Sequence, residues 1–579
     1  MEPKLEPRDE PLVSGFLQNP NPNYGLKVPV AESNAVNGTR TNGSDENNDR
    51  SEINGNLESM IDVIDVDEVM DPDALAIVLV PDEEDNQLAN VEPSYRRKFP
   101  PRSAELVRVS NLEIEDERYF RELVRKTRTL YDSLWIYVTL EEDRRRSLLD
   151  GPVPRARVRA DLKVASMMRD RGLWLNQDKR IVGPIPGGYE DDEDSGDVII
   201  YTGHGGQDKN SRQVAHQKLE GGNLGMERSM HHGVEVRVVR GFKYKGGAGD
   251  KVYVYDGIYK IDEYWFEIGK SGFGVYKFKL VRMEGQPEMG SAILKFAENI
   301  KTNPLGARPV GYVSLDISRN KEKVPVFLFN DIDDNHDPLE YDYQVTTIFP
   351  SFVYHNARNG GGCNCSGGCT VDCLCAKKNG GEFAYDINGR LIKGKPLIIE
   401  CGPLCSCPPN CWNRVSQKGV RNTFEVFRSM ETGWGVRSLD LIQAGSFICE
   451  YTGVVLTREQ AQVFTMNGED TLVYPNRFGE RWAEWGDFSQ VFSDYVRPSY
   501  PSIPPLEFAI DVSKIRNLAC YMSHSPCPNV FVQLVMYDHS NFGFPHLMLF
   551  AMENIPPLRE LSLDYGAAGE WTEKLAICN

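Results

Sequence analysis

Cys363-Asn364-Cys365-Ser366-Gly367-Gly368-Cys369-Thr370-Val371-Asp372-Cys373-Leu374-Cys375 and, after 25 further residues, Cys401-Gly402-Pro403-Leu404-Cys405-Ser406-Cys407-Pro408-Pro409-Asn410-Cys411 place nine cysteines within forty-nine residues. Single-residue spacers hold two thiolates too close for each to serve a separate tetrahedral site, so some sulfurs must bridge metals. Three zinc ions need twelve ligand bonds, and nine cysteines supply them when six bind one metal and three bind two. A disulfide knot is the competing reading, and an odd number of cysteines disfavours it. No secretory pattern follows Met1 and no run of 18 apolar residues occurs, so we expect a reducing compartment and no membrane. A catalytic zinc is not expected, because thiolates fill every ligand position and leave none for water.

Charge is distributed unevenly around this cluster. The 579-residue chain carries a net charge of -19. Residues 1–95 hold 21 acidic and 5 basic residues, a net of -16, which leaves about -3 for everything after Tyr95. The acidic balance therefore belongs to the tail and does not oppose a local DNA-binding face elsewhere. That tail is rich in Asn, Pro, Asp and Glu without sustained period, and is expected to be disordered. Within it Ile61-Asp62-Val63-Ile64-Asp65-Val66-Asp67-Glu68 alternates β-branched and acidic residues. It resembles a SUMO-interacting motif, which would bind SUMO-modified proteins by adding a strand to a sheet edge, although a plain acidic stretch gives the same pattern.

Arg96-Arg97-Lys98 ends the tail as a short basic cluster consistent with nuclear import. From 103 to 149 the pattern turns helical: Phe120, Leu123, Val124, Thr127, Leu130, Tyr131, Leu134 and Val138 form one apolar stripe, with Arg121, Arg125, Lys126 and Arg128 off it. A second helix is expected over 156–170, ending near Gly172. Packing within this chain is the expected use of both. From 181 to 310 short runs at 198–201, 234–239, 252–259 and 275–280, separated by glycine-rich turns, read as strands.

Gly188-Tyr189-Glu190-Asp191-Asp192, Ile200-Tyr201-Thr202-Gly203, Gly221-Gly222-Asn223-Leu224 and Val254-Tyr255-Asp256-Gly257-Ile258-Tyr259 resemble the SRA (YDG) domain, a curved β-barrel that reads methylated cytosine flipped from the duplex. The resemblance implies Tyr189 and Tyr201 as the stacking pair, Asp192 as acceptor for the exocyclic amine, and Thr202 as a backbone contact. Arg237, Arg240, Lys243 and Lys245 are candidate phosphate contacts, a solvated strand face being the commoner meaning of such charges. In this class the glycine-proline opening, here Gly183-Pro184-Ile185-Pro186-Gly187, is separated from the Gly-Tyr-Glu-Asp-Asp segment by several strands. Here Gly187 abuts Gly188, so the barrel is expected to lack its first part.

The nine-cysteine order resembles the pre-SET module, and the sequence C-terminal to Cys411 resembles a SET methyltransferase fold. Glu431-Thr432-Gly433-Trp434-Gly435-Val436-Arg437 matches the segment laid against S-adenosylmethionine, Gly445 to Gly453 the strand pair after it, Asn517 to Asn529 the pseudoknot motif, and Glu560 to Tyr565 the closing strand. The order SRA, pre-SET, SET resembles the plant SUVH class of histone-lysine methyltransferases over residues 96–579. The resemblance implies Tyr565 as the catalytic candidate and Gly433, Trp434, Gly435, Ser523 and His524 as cofactor-binding candidates. Departures accumulate at this site. Ser523 replaces a cofactor-contacting Asn, Cys520 an arginine, and Leu506 and Leu563 aromatic residues of the lysine channel. Cys527 is one place out of register, and only Cys578 follows Tyr565 where active members carry a zinc-binding post-SET segment.

These observations predict a multidomain chain, mainly β with α. They place a disordered tail at 1–95, a helical segment at 96–180, an SRA domain at 181–330, a pre-SET module at 345–415 binding three structural zinc ions through the nine cysteines, a SET domain with pseudoknot at 416–566, and a tail at 567–579. S-adenosylmethionine is expected to bind weakly or not at all. The expected role is a nuclear, heterochromatic silencing adaptor that binds methylated DNA and nucleosomes or histone tails and recruits silencing proteins. An active histone H3 lysine methyltransferase and a truncated isoform with impaired DNA binding are the alternatives.

Overall fold

The structure, a computed structural model, describes helical residues between 122 and 140, residues 180–182 and, with short gaps, residues 193–566. The tail with its 61–68 motif, the expected helix at 156–170, and Tyr189, Asp192 and Lys245 lie outside the described residues. Among the described residues no helix is long and apolar enough to cross a membrane.

The alternating apolar runs of the first domain become β1 (Arg180–Val182), β2 (Glu193–Asp194), β3 (Val198–Thr202), β4 (Val236–Lys243), β5 (Lys251–Ile268) and β6 (Gly274–Arg282). They hydrogen-bond in the order β1-β4-β5-β6-β3-β2, so among the described residues the sheet is open, with β1 and β2 at its edges. Ile199, Val236, Val238, Ile261, Phe278 and Leu280 pack beneath it with Met226 of the helix Gly221–His231. Arg240, which the sequence offered to phosphate, points instead into this interior and is 0% exposed. The buried carboxylate of Asp256 outcompetes solvent for its guanidinium.

A helix, Ser291–Thr302, leads into the second folded region. Its strands are β7 (Tyr312–Ser314), β8 (Val326–Phe329), β9 (Asp342–Tyr343), β10 (Ile398–Ile399), β11 (Phe424–Ser429), β12 (Gly433–Ser438), β13 (Phe447–Glu450), β14 (Val454–Thr457), β15 (Leu472–Val473), β16 (Phe508–Asp511), β17 (Ile515–Arg516), β18 (Ser523–His524), β19 (Val530–Met536), β20 (His546–Ala551) and β21 (Glu560–Leu563). They form sheets ordered β18-β21-β12-β11-β8-β7, β10-β19-β20-β13 and β14-β16-β15, with a small β17-β9 pair. β7 and β8 fall inside the stretch that the sequence assigned to the SRA domain, yet β8 pairs in parallel with β11 of the C-terminal domain. The sequence reading placed its last strand run at 275–280 and marked neither β7 nor β8, and strand propensity does not name a partner in any case.

The parallel pairing of β18 with β21 joins two remote segments, Ser523 opposite Ser562 and His524 opposite Leu563, as the pseudoknot motif leads one to expect. Asn529 fastens the crossing: its Nδ2 donates to the Glu560 carbonyl at 2.8 Å and its Oδ1 accepts from Ser562 N at 2.9 Å.

The helical residues between 122 and 140 pack on this C-terminal domain. Leu130 and Leu134 are buried as the stripe predicts, and Ile136 joins a cluster with Trp485, Leu391 and Phe447. Arg125, read as lying off the stripe, is also buried, because Glu122 at 2.6 Å and Glu484 at 2.8 Å neutralise its guanidinium. Asp132 accepts from both the backbone and the side-chain amide of Asn554, at 3.2 and 3.1 Å.

Burial, reinforced by the Glu553 carboxylate, pushes the Asp132 carboxyl up to about 8, against the Asn554 hydrogen bond and the Arg128 charge. An acid raised in the folded state contributes stability that is complete below its unfolded value and is lost as pH rises through the folded one. Asp132→Asn should therefore flatten the decline in thermal midpoint between roughly pH 5 and pH 8. Melts of the two proteins across that range measure it, and parallel profiles would contradict the assignment.

Candidate functional site: a thiolate cluster beside a SET-type site

The nine cysteines are drawn into one buried cluster with Phe383 and Trp412 against it. The short helix Leu374–Lys378 begins at Cys373, whose sulfur accepts from Ala376 N at 3.5 Å. Trp412 Nε1 donates to the Cys369 carbonyl at 2.7 Å, which closes the second cysteine run onto the first. Sulfur–sulfur separations are 3.5 Å for Cys363–Cys369, 3.4 Å for Cys369–Cys401 and 3.5 Å for Cys375–Cys405. A disulfide needs about 2.05 Å, whereas ligands on one tetrahedral zinc, each about 2.3 Å from the metal, stand between about 3.5 and 4 Å apart. The donor set therefore fits zinc and not a disulfide knot. Sulfurs of Cys363, Cys375, Cys401 and Cys405 lie within 4.8 Å of one another, as do those of Cys363, Cys369, Cys401 and Cys407, and those of Cys365, Cys369 and Cys373.

This cluster is wired directly into the adjoining sheets. β10 pairs in parallel with β19 and runs straight into Glu400 and Cys401. Glu400 accepts from Tyr385 OH and Ser416 N, each at 2.9 Å, and Gln533 of β19 exchanges hydrogen bonds with the Lys395 backbone.

In the SET-like region β12 carries Gly433-Trp434-Gly435. Gly433 has φ +73°, a conformation that L side chains avoid. A Cβ on Gly435 would stand 2.9 Å from the Phe427 ring and from Glu560 Oε1. Trp434 is buried, with the Arg428 guanidinium 5.3 Å from its ring centroid and Tyr521 edge-on at 6.3 Å. Ser523 is buried in the β18–β21 pairing, and Cys520 and Leu563 belong to the same apolar core as Trp434. His524 Nδ1 accepts from Tyr565 N at 3.2 Å, and the Tyr565 hydroxyl donates to the Met522 carbonyl at 3.1 Å. The structure thus brings Ser523, His524 and Tyr565 together. Tyr565 also meets Phe478 at 5.5 Å, and Phe478 meets Tyr451 at 5.7 Å.

Sequence reading passed over Tyr451 and Phe478, although Tyr451 lies inside a quoted motif. It also missed a polar clamp beside Tyr565. Arg481 reaches Asp564 at 2.7 Å, Glu484 at 3.0 Å and Glu122 at 3.4 Å. Glu122 Oε2 is 3.8 Å from Cys527 Sγ, so the N-terminal helix reaches this half-buried cysteine. Burial alone would raise the Glu122 carboxyl, but hydrogen bonding and charge from Arg125, with Arg481 behind it, hold it at about 2. No local pattern connects residue 122 with 481 or 527. In the SRA sheet, Tyr201 and Thr202 are both buried at the end of β3, Tyr201 within the apolar cluster and with its hydroxyl 2.6 Å from His204 Nε2.

An SRA-type sheet, a nine-thiol module and a pseudoknotted β-fold in one chain define the SRA–SET class of chromatin proteins. Family models agree, matching a SAD/SRA domain at residues 181–286, a pre-SET motif at 318–414 and a SET domain at 433–566. The chain is 56% identical over 528 residues to the histone-lysine N-methyltransferase family member SUVH9 of Arabidopsis thaliana, covering 83% of this chain and 81% of the relative. It is 51% identical to SUVH2 of the same plant, covering 88% and 86%. The crystal structure of SUVH9 superposes with TM-score 0.62 at 55% identity, covering 78% of this chain and all of that one. KRYPTONITE in complex with mCHG DNA and SAH matches with TM-score 0.52 at 30% identity, covering 79% and 96%. This chain belongs to the plant SUVH class of histone-lysine N-methyltransferase family proteins.

If metal holds the thiol cluster, a strong chelator should lower the melting temperature of the C-terminal region and expose its amides to exchange while leaving β3–β6 protected. Hydrogen exchange with and without chelator measures this. Equal loss of protection in both regions would count against it.

Proposed function

We propose that this chain is a nuclear, heterochromatic silencing adaptor that reads methylated DNA through its SRA domain and retains the SET fold as a scaffold with little or no methyl transfer. One arrangement carries the reading: Trp434, Ser523 and Tyr565 are all nearly fully buried, Cys520 and Leu563 fill the core around them, and the Tyr565 hydroxyl is engaged by the Met522 carbonyl. S-adenosylmethionine, when bound to a SET site, supplies an electrophilic methyl group. Gly433, Trp434, Gly435, Ser523 and His524 are the residues here that would hold it. A serine at 523 and a thiol at 520 offer that cofactor fewer and weaker contacts than an amide and a guanidinium. Methyl transfer also needs an aromatic, water-poor channel, and Leu506 and Leu563 provide no aromatic face or hydroxyl there.

The nine cysteines would hold three zinc ions. Three sulfurs recur between the observed groups, Cys363, Cys369 and Cys401, and these suit the bridging positions. The remaining six then serve as terminal ligands, with Cys375 and Cys405 completing one tetrahedron. For DNA, Tyr201 and Thr202 together with Tyr189 and Asp192 are the methylcytosine candidates, by analogy with the KRYPTONITE complex containing mCHG DNA. Histone tails or nucleosomes, silencing proteins and SUMO-modified proteins through residues 61–68 are the proposed partners.

The SRA domain is proposed to lack its first wall. The alignment with SUVH9 spans 528 residues yet engages only 83% of this 579-residue chain, so several dozen positions of the relative face a gap. Among the described residues β1 and β2 have no outer neighbour, which fits the same reading. An active methyltransferase is the second reading, favoured by the retained Gly433-Trp434-Gly435 and Tyr565.

Calorimetry with S-adenosylmethionine separates the two: the adaptor reading expects no heat at micromolar ligand, and a saturable micromolar signal would overturn it. Metal analysis should give three zinc per chain, with Cys401→Ser losing more zinc than Cys373→Ser because a bridging thiolate serves two ions. A methylated duplex should bind more tightly than its unmethylated twin, and Tyr189→Ala should abolish the difference. Equal binding of both duplexes by the unmodified chain would remove the reader function.

A further inference from the structure

The Tyr255-Asp256-Gly257 triplet is a β-bulge. Val238 lies opposite Gly257 and Val239 opposite Tyr255, which leaves Asp256 as the extra residue on β5. Such an insertion re-aims a side chain, and here it delivers a carboxylate into the sheet's interior. Gly257 permits the bend: its φ is +149°, and a Cβ there would stand 2.4 Å from Gln286 Oε1.

The Asp256 and Arg240 side chains are both 0% exposed. Arg240 Nε donates to Asp256 Oδ2 at 2.6 Å. The Tyr259 hydroxyl accepts from Arg240 Nη2 at 3.0 Å and donates to the same Asp256 oxygen at 2.6 Å. Burying an ion pair costs desolvation that an apolar pair of equal volume would avoid. What the charged set adds is direction. Arg240 Nη2 reaches across the sheet to the Gly196 carbonyl at 2.7 Å. Gly196, at φ +90°, is the centre of the turn between β2 and β3, which is held further by Ser195 N on the Val198 carbonyl and Arg282 N on the Asp197 carbonyl. The strand leaving that turn ends in Tyr201 and Thr202.

We propose that Arg240, Asp256 and Tyr259 form a positioning unit for base recognition: by fixing the 195–197 turn they set where Tyr201 and Thr202 stand on the sheet. The unit rests on the methylcytosine reading of the SRA domain. Arg240→Lys keeps the charge but loses the planar fork that serves Asp256 and Gly196 together. Tyr259→Phe is the milder variant, removing one hydroxyl and keeping the ring in the core.

The test uses the full chain, with hydrogen exchange of residues 195–202 and anisotropy binding of methylated and unmethylated duplexes. Both variants should exchange faster over 195–202 with β19–β20 unchanged. Their preference for methylated DNA should fall about fivefold, the worth of one net hydrogen bond, at unaltered affinity for the unmethylated duplex. If Arg240→Lys fails to fold, Tyr259→Phe carries the comparison. Unchanged exchange over 195–202, or an intact methyl preference in both variants, overturns the proposal while leaving base reading in place. An unmodified chain without methyl preference removes base reading and this role with it.

Discussion

Nine sulfurs held as close as 3.4 Å, unbonded to one another, are the constraint on which the C-terminal half depends. Thiolates at that separation repel unless a cation lies between them, so the module's compactness is tied to its metal. Its apolar contribution is small, chiefly Phe383 and Trp412. The same chain that carries Cys401 supplies β10 to the sheet through β19, and Glu400 gathers Tyr385 and Ser416 around the junction. A disturbance of the cluster therefore reaches β19 through three residues of backbone, and β19 is the neighbour of β20 at the heart of the SET-type fold.

Elsewhere the chain buries charge at a desolvation cost that an apolar pair would avoid. Arg125 is sealed between Glu122 and Glu484, and Arg240 between Asp256 and the Gly196 carbonyl. Each set joins segments far apart in sequence. Their value is in geometry: apolar contacts tolerate sliding, whereas a guanidinium with several fixed acceptors does not. The N-terminal helix thereby gains one seating on the SET-type domain, close to Cys527 and to the Asp564-Tyr565 end of the closing strand.

Much of this was legible beforehand because it is periodic or compositional. The four runs at 198–201, 234–239, 252–259 and 275–280 all lie on strands or lead into them, and the cysteine spacing announced a metal cluster without any alignment. Failures occurred where burial of a polar side chain decided the matter. Arg240 looks like a phosphate contact and Arg125 like a solvent-facing helix residue, and both are interior because a carboxylate waits for them across the fold.

Residue order alone determined the domain succession, the metal-binding character of residues 363–411, and the serine, cysteine and leucine at positions 523, 520 and 563. These are properties of local spacing and side-chain identity, which need no partner to be read. Tertiary structure decided which sulfurs approach one another, that β8 pairs with β11, that Asp256 stands on a bulge, and that Glu122 meets Arg481 and Cys527. Those outcomes depend on contacts between segments separated by tens to hundreds of residues, and the competition between water and a distant partner for each polar group is settled only when the chain has closed.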